Sequence, residues 1–85
     1  MRLVFTDRGW DDYQWLQAND RRLLRRTDDL IKAALREPFS GIGKPERLRY
    51  GLADTWSRRI DQEHRLVYRV LGDDLVILAA RFHFE

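Results

Sequence analysis

The segment from Gly43 to Val70 decides the fold, and it reads GKPERLRYGLADTWSRRIDQEHRLVYRV. Apolar and polar residues alternate in its later part, and a period of two is typical of half-buried strands. The same segment carries one lysine, six arginines and one histidine. It therefore predicts a sheet whose strands carry an unusual density of guanidinium groups.

Strand patterns continue from this segment to the end of the chain. They follow the loop PFSGIGKPE, which begins at Pro38 and ends the helical part of the sequence. The predicted strands span 46–50, 55–60, 64–70 and 74–82. Gly72, Asp73 and Asp74 predict a hairpin turn between the last two.

The residues before Pro38 predict one short strand and two helices. The strand spans 2–6, and Thr6 is a suitable N-cap for a first helix. Asn19 and Asp20 can end that helix and cap the next one. The apolar positions of the second helix recur at helical spacing and are Leu23, Thr27, Leu30, Ile31, Ala34 and Leu35.

These elements predict an α+β fold, and 85 residues support one domain spanning 1–85 with one modest core. We expect two N-terminal helices on one face of a twisted, mainly antiparallel sheet, summarised as a β-α-α-β-β-β order. One face of such a sheet is covered by helices, and the other is left partly open.

Alternation assigns the side chains of the last two strands to faces. His64, Leu66, Tyr68 and Val70 fall on the helix-covered face, which predicts a partly buried, hydrogen-bonded structural histidine at position 64. Arg65, Val67 and Arg69 fall on the open face. In the last strand one face receives Leu75, Ile77, Ala79, Arg81 and His83. We therefore expect Arg65, Arg69, Arg81 and His83 to gather on the open face.

Arg58 and Arg59 are adjacent and must point to opposite faces of their strand. One of them has to lie near the helices or at an edge, where a guanidinium needs a partner. A carboxylate such as Asp61 or Glu63 is the structural alternative, and a bound phosphate is the functional one.

The composition narrows the classes of function. Fourteen of the sixteen basic residues are arginine and the sequence pI is 9.4, which suits binding to the phosphates of RNA or DNA, although a GC-rich genome produces the same bias. With no cysteine and two histidines, no metal-ligand spacing can be drawn, so we expect no metal and no cofactor. The absence of a long apolar run or a signal-peptide core predicts a cytoplasmic protein without a membrane partner.

The acids and bases fit RNA cleavage. The 2′-hydroxyl of RNA can act as nucleophile, so such an enzyme needs a base, an acid and cations around the phosphate. Glu46, the arginines of adjoining strands and the C-terminal His83 supply these groups.

Five separated motifs carry a resemblance to a known family. The stretches WDDY (10–13), GKPE (43–46), WSRRI (56–60), EHRLVY (63–68) and AARFHF (79–84) resemble the YoeB/Txe family of bacterial toxins, within the RelE superfamily. The resemblance spans nearly the whole chain. It implies a microbial-ribonuclease-like fold and a metal-independent, ribosome-dependent mRNA endonuclease.

The resemblance also implies roles for individual residues. Glu46 corresponds to the general base and His83 to the general acid, while Arg59 and Arg65 correspond to the residues that stabilise the phosphate. Arg49 stands where the family usually has a lysine that lines the site, and Lys44 of the same motif is expected to contact substrate. Phe84 replaces the usual tyrosine, and a phenyl ring can stack on a base but cannot donate a hydrogen bond.

The implied partners are a cognate antitoxin of the YefM/Axe type, the ribosome with its mRNA, and operator DNA only through the antitoxin. Two alternatives remain open at this point. One is a catalytically weakened toxin that serves as a co-repressor with its antitoxin, which Phe84 leaves open; the other is a non-catalytic RNA-binding domain. A monomer and a homodimer are both compatible with the sequence.

Overall fold

The computed structural model describes residues 1–49 and 53–82. In chain order its elements are β1 (Arg2–Phe5), α1 (Asp7–Asn19), α2 (Arg21–Arg36), β2 (Glu46–Arg47), β3 (Thr55–Arg59), β4 (Arg65–Leu71) and β5 (Asp74–Ala79). The strands form one sheet in the order β1-β5-β4-β3-β2. Only the β1–β5 pair is parallel among the described strands. The α+β fold and the mainly antiparallel sheet are therefore confirmed.

The strand boundaries differ from the predicted ones by more than one residue in two strands, β2 and β5. Four strands follow the helices, one more than in the summarised β-α-α-β-β-β order. β2 has only two residues, although the N–H of Leu48 still donates to the carbonyl of Thr55 over 2.8 Å. The end of that predicted strand, Tyr50, lies outside the described residues. β5 ends at Ala79 and does not reach Phe82.

Both helices begin at the capping residues that the sequence indicates. The Thr6 hydroxyl accepts a hydrogen bond from the N–H of Gly9 over 3.1 Å. The Asp20 carboxylate accepts from the N–H of Leu23 over 3.1 Å and thereby starts α2 one residue after α1 ends. Each bond satisfies one of the backbone donors that a helix start leaves unpaired.

The core lies between the helices and one face of the sheet. α1 contributes Leu16, and α2 contributes Leu30, Ile31 and Ala34. The sheet contributes Leu66, Tyr68, Leu75 and Ile77. All of these side chains are buried. Within residues 1–49 and 53–82, neither helix has the length and apolar content needed to cross a bilayer.

A β-bulge changes the face assignment near the end of β5. Val67 pairs with Ala79, whereas the next residue, Tyr68, pairs with Ile77, so Leu78 is the additional residue. Ala79 therefore shares the face of Val67, and Ala80 joins the core cluster. The prediction that Ala79 continues the face of Leu75 and Ile77 was wrong, because strict alternation does not hold across a bulge. The prediction that Leu75 and Ile77 share the open face with Arg65 was also wrong, since both lie in the core beneath the helices.

Gly9 marks the closest approach of α1 to the sheet. A Cβ atom at this position would overlap the backbone carbonyl oxygen of Ile77 and lie 3.0 Å from its carbon. Because a strand backbone in the middle of the fold cannot move aside cheaply, Gly9→Ala should lower the free energy of unfolding by about 1–3 kcal/mol. Urea denaturation checks this, with the exposed Gln14→Ala as control on the same helix. Equal stability of the two variants would contradict the expected overlap.

Candidate active site

Arg58 is a fully buried arginine on the helix-covered face of β3. Its Nε donates to the Tyr68 hydroxyl over 3.0 Å. Its Nη1 and Nη2 donate to three backbone carbonyls, those of Ile42 (3.0 Å), Glu37 (2.7 Å) and Ser40 (2.8 Å). The expected partners, Asp61 or Glu63 or a phosphate, were therefore wrong for this residue. Carbonyl dipoles at the end of a helix and in the following loop take their place.

Tyr68 completes this network from the neighbouring strand. Burial raises the pKa of its phenol, so the hydroxyl stays protonated well above neutral pH. It donates to the carbonyl of Pro38 over 2.6 Å and accepts from Arg58. Arg58 and Tyr68 together fasten the loop at 37–42 to the sheet.

The backbone after this loop is held to β3 at Gly43. The N–H of Arg59 donates to the carbonyl of Gly43 over 2.7 Å. Gly43 has a φ of +83°, and a Cβ atom there would lie 2.6 Å from Leu30 and 3.1 Å from the Cβ of Arg58. A glycine is needed because both the backbone conformation and the space exclude a side chain. This attachment sets the position at which β2 begins, and therefore that of Glu46.

The face of the sheet opposite the helices brings together three of the predicted site residues. Glu46 pairs with Ser57 across β2 and β3, and Arg59 pairs with Arg65 across β3 and β4. Arg65 Nη1 lies 3.9 Å from Glu46 Oε2. The same nitrogen donates to Ser57 Oγ over 3.2 Å. We call the set Glu46, Ser57, Arg59 and Arg65 the carboxylate–arginine cluster.

Exposure differs within the carboxylate–arginine cluster. The side chain of Arg65 is 19% exposed and that of Glu46 is 58% exposed. Arg59 is exposed, and its guanidinium makes no hydrogen bond or ion pair with another described residue. Arg65 supplies a guanidinium that is already held in place, Arg59 supplies an accessible guanidinium, and Glu46 supplies an accessible carboxylate. Together they suit an anionic ligand, because the guanidinium groups can bind its charge while the carboxylate removes a proton from a neighbouring atom.

Ser57 is the member of the cluster that sequence reasoning did not single out. It is fully buried, and its hydroxyl holds the guanidinium that faces Glu46. Its position on the face of Arg59 follows from strand parity. Its contact with Arg65 depends on the register between β3 and β4, which the sequence does not state.

Lys44 and Arg49 lie on either side of β2 and are exposed. Lys44 has a φ of +50°. Neither side chain makes a hydrogen bond or an ion pair with another described residue. The structure therefore places them near the strand of Glu46 without bringing them into contact with the cluster.

Arg69 and Arg81 do not join the cluster. Arg69 lies toward the other end of β4 and donates to the carbonyl of Ala53 over 3.0 Å. The guanidinium carbon of Arg81 lies 3.7 Å from the ring centroid of Trp15 on α1, as in a cation–π contact. The prediction that Arg81 gathers with Arg65 was wrong, because β5 ends before residue 81 and the chain turns toward α1.

Of the two histidines, His64 lies within the described residues and His83 lies outside them. His64 is buried, and its Nδ1 accepts a hydrogen bond from the N–H of Phe82 over 2.8 Å, so the prediction of a structural histidine is confirmed. The neutral ring then carries its proton on Nε2, which lies 3.4 Å from Glu63 Oε1. The predictions for His83 and Phe84 lie outside the described residues. The chain before them is held beside the cluster, because the carbonyl of Phe82 accepts from the N–H of Arg65 over 3.2 Å.

Comparisons with known proteins show which family the chain is similar to. A family model described as the YoeB-like toxin of bacterial type II toxin–antitoxin systems matches residues 5–84. The chain is 53% identical to Toxin YoeB of Synechocystis over 85 residues, covering 100% of this chain and 99% of that protein. It is 48% identical to Toxin YoeB of Escherichia coli K12 over 84 residues, covering 99% of this chain and 100% of that protein. Among solved structures, a YoeB/ParE toxin from Agrobacterium tumefaciens superposes with a TM-score of 0.94 at 49% identity, covering 99% of this chain and 100% of that one.

Proposed function

Since the chain belongs to the family of YoeB-like toxins of bacterial type II toxin–antitoxin systems, we propose that it is an endoribonuclease that cuts mRNA on the ribosome. The observation that carries this proposal is the pairing of Glu46 Oε2 with Arg65 Nη1 at 3.9 Å on the face opposite the helices, beside an accessible Arg59. A proton acceptor next to two phosphate-binding forks is the arrangement that RNA cleavage through the 2′-hydroxyl needs.

The proposed reaction uses the substrate's own nucleophile. Glu46 takes the proton of the 2′-hydroxyl, and the 2′-oxygen forms a bond to phosphorus. The bond between phosphorus and the 5′-oxygen breaks, and His83 gives its proton to that oxygen. The products are a 2′,3′-cyclic phosphate and a 5′-hydroxyl end. No protein nucleophile takes part and no metal ion is needed in this scheme.

Arg59 and Arg65 stabilise the additional negative charge on the phosphate as the 2′-oxygen attacks. Arg65 is fixed by Ser57 before the substrate binds, so little reorganisation is needed when charge develops. Its contact with Glu46 keeps the carboxylate near the site of attack. Phe82 precedes His83 and is held against the start of β4 next to Arg65, which supports the role proposed for His83.

Arg49, Lys44 and Phe84 complete the proposal as substrate-binding residues. Arg49 and Lys44 are exposed cations on either side of β2, where they can contact the phosphates of a bound strand. Phe84 is assigned to stacking on a base, which an aromatic ring without a hydroxyl can do.

Two relatives support the protein partners of this proposal. A solved structure from Staphylococcus aureus is a YoeB–YefM complex, and another is a YoeB dimer that superposes on this chain with a TM-score of 0.91. For this chain we extend the proposal to a cognate antitoxin of the YefM type and to a homodimer. Operator DNA is contacted only through the antitoxin in this proposal.

The function is tested in a translation extract that contains a labelled message. The protein should cut the message only when ribosomes are present, and the 5′ fragment should end in a cyclic phosphate. A message with a 2′-deoxynucleotide at the cut position is the matched control, because it lacks the nucleophile. Cleavage of the deoxy message at the same position, or no cleavage of either message, would contradict the proposed reaction.

A further inference from the structure

A surface depression lined by arginines adjoins the carboxylate–arginine cluster and extends from it to the start of α2. Two adjoining cavities of about 430 and 350 Å³ lie between the first turns of α2 and the turn that joins β3 to β4. They share Arg26, Ile60 and Asp61 in their walls. Four arginines line the continuous depression, which we call the arginine groove: Arg22, Arg26, Arg59 and Arg65.

The carboxylates of the arginine groove do not cancel its charge. Asp20 and Asp61 are the acids that line it, so two carboxylates face four guanidinium groups. Asp20 Oδ1 is engaged by the N–H of Leu23 at the start of α2. Asp61 Oδ1 is engaged by the N–H groups of Glu63 (2.8 Å) and His64 (2.6 Å). Neither carboxylate forms an ion pair with the four arginines among the described residues, and Arg65 alone lies near another carboxylate, that of Glu46 at 3.9 Å. The groove therefore keeps an excess of positive charge for an external anion.

Arg26 lies in the middle of the groove and connects α2 to β3. Its Nη2 donates to the carbonyl of Arg59 over 3.2 Å, which orients the fork and leaves its other donors unused by described residues. Arg22 lies one helical turn earlier, is exposed and has no hydrogen bond or ion pair with another described residue. Residues four apart on a helix lie about 5–6 Å from one another at Cβ, so both forks face the same groove.

We propose that the arginine groove binds the sugar–phosphate backbone of RNA on one side of the cut. The inference rests on the proposed function, because the groove shares Arg59 and Arg65 with the proposed catalytic site. Arg26 and Arg22 extend that site by binding successive phosphates of the same strand. Planar guanidinium forks along an open groove suit phosphates better than they suit an apolar ligand.

The test compares two double variants of equal charge. Arg22→Ala with Arg26→Ala removes the two helix arginines of the groove. Arg21→Ala with Arg25→Ala removes two exposed arginines of the same helix that do not line it. Both pairs are made in a Glu46→Ala background, so that binding is measured without cleavage. Thermal melting of each variant checks that the fold is retained, and Arg26→Lys provides a milder change.

Binding is measured to two probes, a single-stranded RNA dodecamer and ribosomes programmed with no message. The groove variant should raise Kd about tenfold for the dodecamer, and the steepness of log K against log salt should fall by about 1.4, since each phosphate contact on a single strand contributes about 0.7. Loss on the dodecamer supports binding of the strand that is cut, whereas loss on ribosomes alone would overturn the inference, because the groove would then bind ribosomal RNA. The Arg21 and Arg25 variant should keep the affinity of its parent within about twofold.

Equal effects of the two double variants would overturn the inference, because the charge alone would then explain the loss. Unchanged RNA affinity together with weaker binding of the antitoxin would also overturn it, since the groove would then be a protein-docking surface. The result for the proposed function is separate. If wild-type protein binds RNA through the groove but cuts no message, the proposed cleavage fails and the groove stands. If wild-type protein binds neither probe, the groove fails as well.

Discussion

Replacing Arg58 with leucine is expected to lower the free energy of unfolding by about 3–5 kcal/mol, the range measured when one partner of a buried charged network is removed. For a domain of this size that is a large share of a total of about 5–15 kcal/mol. The reason lies in the four hydrogen bonds of a fully buried guanidinium. Leucine would leave the carbonyls of Glu37, Ser40 and Ile42 without this donor.

Lysine is expected to recover only part of the loss at position 58. The guanidinium donates in three directions at once, to Tyr68 and to carbonyls on both sides of the loop at 37–42. An ammonium group presents its donors from a single point and cannot span those acceptors. Arg58→Lys should therefore lie between the wild-type protein and Arg58→Leu in stability.

The neighbouring arginine supplies the control for this prediction. Arg59→Leu changes an exposed side chain, so its free energy of unfolding should stay within about 0.5 kcal/mol of the wild-type value. Urea denaturation monitored by tryptophan fluorescence measures both variants, and equal slopes against urea make the midpoints comparable. A loss below about 1 kcal/mol in Arg58→Leu would contradict the structural role of Arg58.

The contrast between these two arginines shows where sequence reasoning succeeds. Parity alone requires that Arg58 and Arg59 face opposite sides, and the structure places one in the core and the other in the open. The helices and their caps at Thr6 and Asp20 were equally predictable, because capping depends on residues a few positions apart. Local chemistry was sufficient for each of these features.

The partners of Arg58 and the course of the last strand were not predictable in this way. Carbonyl acceptors are present in every residue, so no sequence signal marks those of Glu37, Ser40 and Ile42. The bulge at Leu78 depends on how β5 matches both β1 and β4. The stacking of Arg81 on Trp15 brings together residues far apart in the sequence.

The candidate site divides along the same line. Glu46, Arg59 and Arg65 were named from motifs and share one face of the sheet. Ser57 was missed because its role is a contact with the side chain of Arg65 on the next strand. Arg26 was missed because its groove forms only when α2 packs beside the β3–β4 turn. The catalytic roles themselves stay predictions.

Replacing Glu46 with glutamine is expected to lower the single-turnover rate of message cleavage by about 10²–10⁴-fold, the range that a general base contributes. Glutamine keeps the size of the side chain and its acceptor oxygen but cannot take up the proton of the 2′-hydroxyl at neutral pH. The side chain is 58% exposed and its contact with Arg65 is long, so stability should change by less than about 0.5 kcal/mol. For this variant the cleavage rate should therefore fall while the free energy of unfolding stays nearly unchanged.

The matched control is Asp29→Asn, which changes an exposed carboxylate on α2 to an amide away from the carboxylate–arginine cluster and should leave the rate unchanged.

Arg65→Ala should lower the rate by about 10²–10³-fold, as expected for the loss of a donor to a developing negative charge. Because Glu46 and Arg65 act on the same phosphodiester, the double variant should lose less than the product of the two single losses. A Glu46→Gln protein that cuts at the wild-type rate would remove this carboxylate from the reaction, and fully multiplicative losses would show that the two groups act independently despite their 3.9 Å contact.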